Sequence, residues 1–106
     1  MKPLKKRPEL EASIQNKIRK TLELGGWYTR KTHGGKFSSG FPDLFVCHMT
    51  HGVRWIEVKR PKVGKLTRAQ RKVFQAFEDH GVGVWILDAP CQIDLLFEEP
   101  NWKDWK

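Results

Sequence analysis

The sequence offers little covalent or membrane constraint. It has only two cysteines, Cys47 and Cys91, far apart in the chain. That excludes a disulfide scaffold and predicts two free thiols in a reducing compartment. No apolar run approaches the ~20 residues of a membrane span. Met1 to Pro8 is basic with no apolar stretch behind it, which argues against a signal peptide. There is no internal repeat and no low-complexity tract. Carboxylates are scarce too, but only in one part of the chain. Residues 1–75 hold five Asp and Glu against 18 Lys and Arg, whereas residues 76–106 hold seven against two. A basic block of this kind implies a polyanionic partner, most often nucleic acid. Its cations are dispersed rather than set along one amphipathic helix, which speaks against an anionic membrane.

What is present suits one compact domain. The 106 residues are 39% hydrophobic, and the formal net charge is +8. Residues 1–8, with four Lys and Arg and two prolines, are expected to be a flexible basic arm, and residues 9–106 a single domain. Leu10, Ile14, Ile18 and Leu22 recur at helical spacing, so a helix is predicted from Glu9 to Leu24, stopped by Gly25-Gly26. Short strands follow at 27–31 and 44–48. Thr50-His51-Gly52 is a turn, so Val53 to Lys59 returns as the second strand of a hairpin. Thr67-Arg68-Ala69-Gln70 fits a capping box opening a second helix, with Val73, Phe74 and Phe77 as its buried stripe. Val82 to Leu87 is a continuous apolar run, as in a strand covered on both faces. A short helix is predicted at 92–98. The order α-β-β-β-α-β with a small C-terminal element is α/β, with a mixed sheet of about four strands flanked by helices.

The five carboxylates of the basic block each need a reason, because a phosphate-binding surface normally avoids them. Glu23 reads as plain surface. Glu57 and Lys59 alternate with Ile56 and Val58 along one strand, so the charged pair shares one face and the apolar pair the other. Alone, Glu57-Val58-Lys59 is readable as a surface ion pair. Asp43, however, lies near the start of the hairpin's first strand and Glu57 near the end of its second, so antiparallel pairing brings both carboxylates to one end of the sheet. Two convergent carboxylates repel unless a cation sits between them, and Mg²⁺ or Mn²⁺ suits oxygen ligands. With Lys59 beside them, this is a minimal set for metal-assisted phosphodiester hydrolysis.

Gly40-Phe41-Pro42-Asp43, a spacer of 13 residues and then Glu57-Val58-Lys59 resemble the PD-(D/E)XK nuclease superfamily. Glu11-Ala12-Ser13-Ile14-Gln15 on the first helix, the G-x-P-D element, I-E-V-K-R-P and L-T-x-x-Q together resemble its VRR-Nuc family of replication and repair nucleases, over roughly residues 9–88. The resemblance implies a restriction-endonuclease-like core. It implies Asp43 and Glu57 as metal ligands, with the Val58 carbonyl as a further one and Glu11 completing or supporting the site. It makes Lys59 the catalytic lysine and Gln70 a member of the catalytic set. Glu11 is also favoured in a first helical turn by the helix dipole, and Gln70 is also the capping-box partner of Thr67. The small size resembles stand-alone phage-type members, which act as homodimers on four-way (Holliday) junctions in a bacterial or phage-infected cytoplasm.

Arg30, Lys31, Lys36, Arg60, Lys62, Lys65 and Arg68 flank the carboxylates in sequence and are the expected phosphate contacts, which position DNA without reading its sequence. Gly34, Gly35 and Gly40 form no phosphate loop, since no G-K-[ST] follows; they are expected to let the loop approach a DNA backbone. Cys47, His48 and His51 have zinc-like spacing but straddle the hairpin turn, and zinc is set aside. Trp27, Trp55 and Trp85 are expected in the core. Leu95, Leu96, Phe97, Trp102 and Trp105 make the acidic tail one candidate subunit contact, and the apolar side of the first helix is another. Three functions therefore compete: a metal-dependent DNA endonuclease on branched or flapped DNA, a non-catalytic DNA-binding module, and a subunit docking an acidic protein.

Overall fold

A computed structural model of the chain describes residues 10–32 and 39–105. The basic arm, Glu9 and Lys36 lie outside the described residues. Helix α1 (Glu11–Leu24) buries Ile14, Ile18 and Leu22 as the spacing predicts. Leu10 differs: it is the N-cap, in extended backbone, and is 68% exposed, so the buried stripe begins one turn later. Strands β1 (Tyr28–Lys31), β2 (Leu44–His48) and β3 (Gly52–Val58) form an antiparallel meander, and β4 (Val84–Leu87) pairs parallel with β3. The parallel pairing needs a crossover, which helix α2 (Arg68–Asp79) supplies. The sheet order is β1-β2-β3-β4. Among the described residues no helix is long and apolar enough to cross a membrane, and both cysteines are free thiols.

Strand alternation divides the core in two. Val46, Ile56, Val58, Trp85 and Leu87 join the α1 stripe on one side of the sheet. Val84 and Ile86 join Phe74 of α2 on the other, where Glu57 also points. The strand predicted from Val82 begins only at Val84. The α2 terminus claims the preceding residues: Gly81, at φ 82°, and Val82 donate backbone bonds to Glu78 and Phe77, a Schellman closure.

The C-terminal segment continues the fold. The predicted short helix is a 3₁₀ segment at Pro90–Phe97, followed by another at Trp102–Asp104. β4 is an edge strand, and Asn101 covers its open side: its amide oxygen accepts from the Ile86 N–H at 2.7 Å and its amide NH₂ donates to the Ile86 carbonyl at 3.0 Å. One side chain thus satisfies the two backbone groups that a fifth strand would have paired. Trp27 and Trp85 are buried as predicted. Leu96 and Trp102 are buried against the chain's own core, as is the α1 stripe, so neither predicted subunit surface is free in the form the sequence suggested; Phe97 remains 53% exposed.

Gly40 packs tightly against α2. Its φ is 81°, and a Cβ there would lie 2.7 Å from the Ala69 backbone oxygen and 2.9 Å from the Val73 side chain. Gly40 thus makes a close approach to α2 within the chain, and Gly34 and Gly35 lie outside the described residues. Since α2 carries Gln70, this glycine sets the distance between the Asp43 segment and that helix. Gly40→Ala combines left-handed strain with overpacking, and is expected to destabilise the fold by about 2 kcal/mol. A thermal melt should show a Tm lower by roughly 10 °C for a domain of this size.

Candidate active site

The hairpin register creates the site. Leu44 pairs with Ile56, so Asp43 and Glu57 are the next facing positions at that end of the sheet. Asp43 is held by its Oδ2, which accepts the Val58 N–H at 2.8 Å. Glu11 reaches the same place from the first turn of α1. One carboxylate oxygen from each of Glu11, Asp43 and Glu57 lies within 4.8 Å of the others, the one such cluster among the described residues. Asp43 and Glu57 are 4% and 0% exposed. Gln15, one turn along α1 from Glu11, is buried as well.

Glu57 uses its two oxygens differently. Oε2 accepts from Gln70 Nε2 at 2.8 Å and lies 3.1 Å from the Lys59 ammonium, whereas Oε1 is buried without a partner. Burial, then the Asp43 charge, pushes the Glu57 carboxyl up from 4.5 to about 8, against the opposing pull of Lys59. Without a cation, Glu57 holds its proton at neutral pH. A hard divalent ion among the three carboxylates fits this donor set: it would offset the Asp43 repulsion and give the orphaned oxygen a partner.

Gln70 is the capping-box partner the sequence predicted, and its side chain also contacts Lys59 and Glu57. Its N–H donates to Thr67 Oγ1 at 3.1 Å while its Oε1 accepts from the Thr67 N–H at 2.9 Å, a complete capping box. The same Oε1 accepts from Lys59 Nζ at 3.0 Å, and Nε2 donates to Glu57. The cap thus locks the amide in the orientation that grips the acid and the base together. Lys59, 5% exposed, is fixed by these two acceptors and by its N–H bond to the Leu87 carbonyl.

Of the sequence-selected cations, Arg30, Lys31, Lys62, Lys65 and Arg68 are exposed and Arg60 is half-buried. Glu23 is surface, as expected, engaged by Thr29 and Arg19. Arg71 and Lys72 are two further exposed cations near Arg68 along α2, three and four residues from it and so on the same side of the helix.

The model of the VRR-NUC domain family matches residues 7–89, most of the chain. The chain belongs to the VRR-NUC family. A solved structure described as a VRR_NUC domain is 27% identical, covering 83% of this chain and 94% of its own, with a TM-score of 0.70. None of the curated proteins matches the sequence. As a VRR-NUC protein with this mixed sheet, the chain is a nuclease of the PD-(D/E)XK type acting on DNA.

The raised Glu57 carboxyl has a measurable sign. Unfolded, it loses its proton near 4.5; folded, it keeps it to about 8. Between those values the unfolded state binds fewer protons, so this group's contribution to stability falls as pH rises. Metal-free wild type should lose Tm from pH 5 to 8 relative to Glu57→Gln, which has no such titration. Mg²⁺ should raise the wild-type Tm more at pH 8 than at pH 6, because binding displaces the proton. Calorimetry across that range tests both; parallel Tm–pH curves for the two proteins would exclude the assignment.

Proposed function

We propose that the protein is a Mg²⁺- or Mn²⁺-dependent endodeoxyribonuclease that cuts branched DNA, with four-way junctions as substrate and a homodimer as the working form. The observation that carries the chemistry is the meeting of Glu11, Asp43 and Glu57 with a lysine that Gln70 and Glu57 pin beside them. Asp43, Glu57, the Val58 carbonyl and Glu11 would hold the ion, which supplies Lewis-acid stabilisation to the phosphate under attack. Lys59 presents a fixed positive charge to the attacking water or the developing phosphorane charge. Gln70 keeps Lys59 and Glu57 in register. Arg30, Lys31, Lys36, Arg60, Lys62, Lys65 and Arg68 bind the phosphate backbone. A non-catalytic DNA module would leave the intact acid–base set unexplained.

Junction resolution needs two coordinated cuts, and one chain of 12.4 kDa carries one site, so a two-fold dimer supports that substrate. Burial of Leu96, Trp102 and the α1 stripe within the chain favours a second reading, a monomer that trims flaps or nicks single strands. We place the protein in a reducing cytoplasm, bacterial or phage-infected, where the exposed Cys91 would stay a thiol.

Asp43→Asn and Glu57→Gln should abolish cleavage while leaving DNA affinity equal or higher, since Asp43→Asn removes a negative charge facing phosphate and Glu57→Gln does so once a cation has displaced the Glu57 proton. Lys59→Ala should reduce the cleavage rate by about 10²–10⁴-fold with metal binding largely retained. Cleavage assays on linear, flapped and four-way DNA, with Mg²⁺, Mn²⁺ or chelator, read all three; wild-type rates in Glu57→Gln would refute the site. Contact with ~6 phosphates should give a log–log salt slope near −5, and a flat dependence would remove the basic block from the DNA face. Light scattering should report twice the chain mass, with paired nicks on opposing junction strands; a monomer that ignores junctions would leave the flap reading.

A further inference from the structure

The loop between β3 and α2 carries Arg60, Lys62 and Lys65 and begins at the pinned Lys59. Its backbone is not relaxed. Lys62 sits at φ 65°, and the Val63 N–H closes onto the Pro61 carbonyl at 2.7 Å, a tight turn around a residue with a side chain. Such a conformation persists only where the surroundings over-determine it. Gly64 then packs back on the start of the loop: its N–H donates to the Arg60 carbonyl at 2.9 Å, and a Cβ at Gly64 would lie 2.8 Å from both the Lys59 Cβ and the Arg60 oxygen. The position of Gly64 is therefore tied to the catalytic lysine and to the first DNA-contacting arginine.

What holds Gly64 from outside is the end of the chain. The Trp105 indole N–H donates to the Gly64 carbonyl at 3.0 Å, and the Trp105 carbonyl accepts from Arg71 Nη2 at 3.2 Å. Its ring packs on the Phe74–Ile86 side of the core. Trp105 lies beyond residues 7–89, which the family model matches.

We propose that Trp105 is a positioning residue for DNA binding: it straps the Arg60–Lys65 loop to α2 and so holds the loop cations in the array that meets the phosphates. The inference rests on the reading of that loop as a DNA contact. Trp105 is neither a proposed metal ligand nor a proposed phosphate contact; it acts through Gly64. Ordering the loop before DNA arrives removes an entropic cost from binding, so the strap lowers KM rather than raising kcat.

The test is Trp105→Phe, which keeps an aromatic ring in the core and deletes the indole donor along with part of the ring's bulk. Expected are a KM for DNA raised about fivefold, kcat within twofold of wild type, and a salt slope shallower by about 0.9 for each phosphate that the loosened loop no longer neutralises. Faster hydrogen exchange at the Val63 and Gly64 amides should accompany them. A Tm decrease with KM, salt slope and loop exchange all at wild-type values would make Trp105 a purely structural residue and overturn the proposal. The double variant Lys62→Ala/Lys65→Ala separates the two layers. A shallower slope there with an unchanged slope in Trp105→Phe refutes the strap alone. An unchanged slope in the double variant refutes the loop as a DNA contact, and the strap's role with it.

Discussion

Asp43 and Glu57 are forced together by the pairing of Leu44 with Ile56, and nearly every feature of the site answers the repulsion this creates. Two carboxylates buried side by side cannot both ionise without an electrostatic partner. The protein offsets part of the repulsion with the Lys59 ammonium, the Gln70 amide on Glu57 and the Val58 N–H on Asp43. It leaves Glu57 Oε1 without a partner, and its carboxyl titrating near 8. A site fully neutralised by its own side chains would have no electrostatic demand for a cation; this one retains that demand.

Gln70 links this chemistry to the fold. A side chain that caps a helix has its rotamer fixed by backbone geometry, so α2 delivers an amide already oriented toward Glu57 and Lys59. Gly40 lets the Asp43 segment approach α2, and the Schellman closure at Gly81 turns the chain into β4, whose Leu87 carbonyl holds the Lys59 N–H. These contacts tie Asp43, Glu57 and Lys59 to α2 and β4, so the site is held by rigid elements rather than by a loop alone.

The acidic C-terminal segment bears on function through structure. Asn101 closes the β4 edge, and Trp102 fills the α2 side of the core. Trp105 connects the basic loop to α2. Seven of the chain's carboxylates fall in residues 76–106, apart from the basic block in sequence, although Asp79 lines one pocket with Arg68, Arg71 and Lys72 on α2. The resulting charge asymmetry along the sequence gives residues 1–75 a strong net positive charge, which is what attracts a polyanion.

Periodicity alone determined the order of elements, the α1 stripe, the split of Ile56 and Val58 from Glu57 and Lys59, and the capping box, because each depends on side-chain spacing within one element. The convergence of Asp43 and Glu57 was equally legible, since a hairpin fixes register through its turn. Only the tertiary structure decided that Gly40 packs on α2, that the Gln70 side chain caps α2 and contacts Glu57 and Lys59 at once, that Leu96 and Trp102 turn inward, and that Trp105 reaches Gly64. Those contacts join segments far apart in the chain, where no period or turn carries the information; they depend on how the faces of separate elements meet when the core closes.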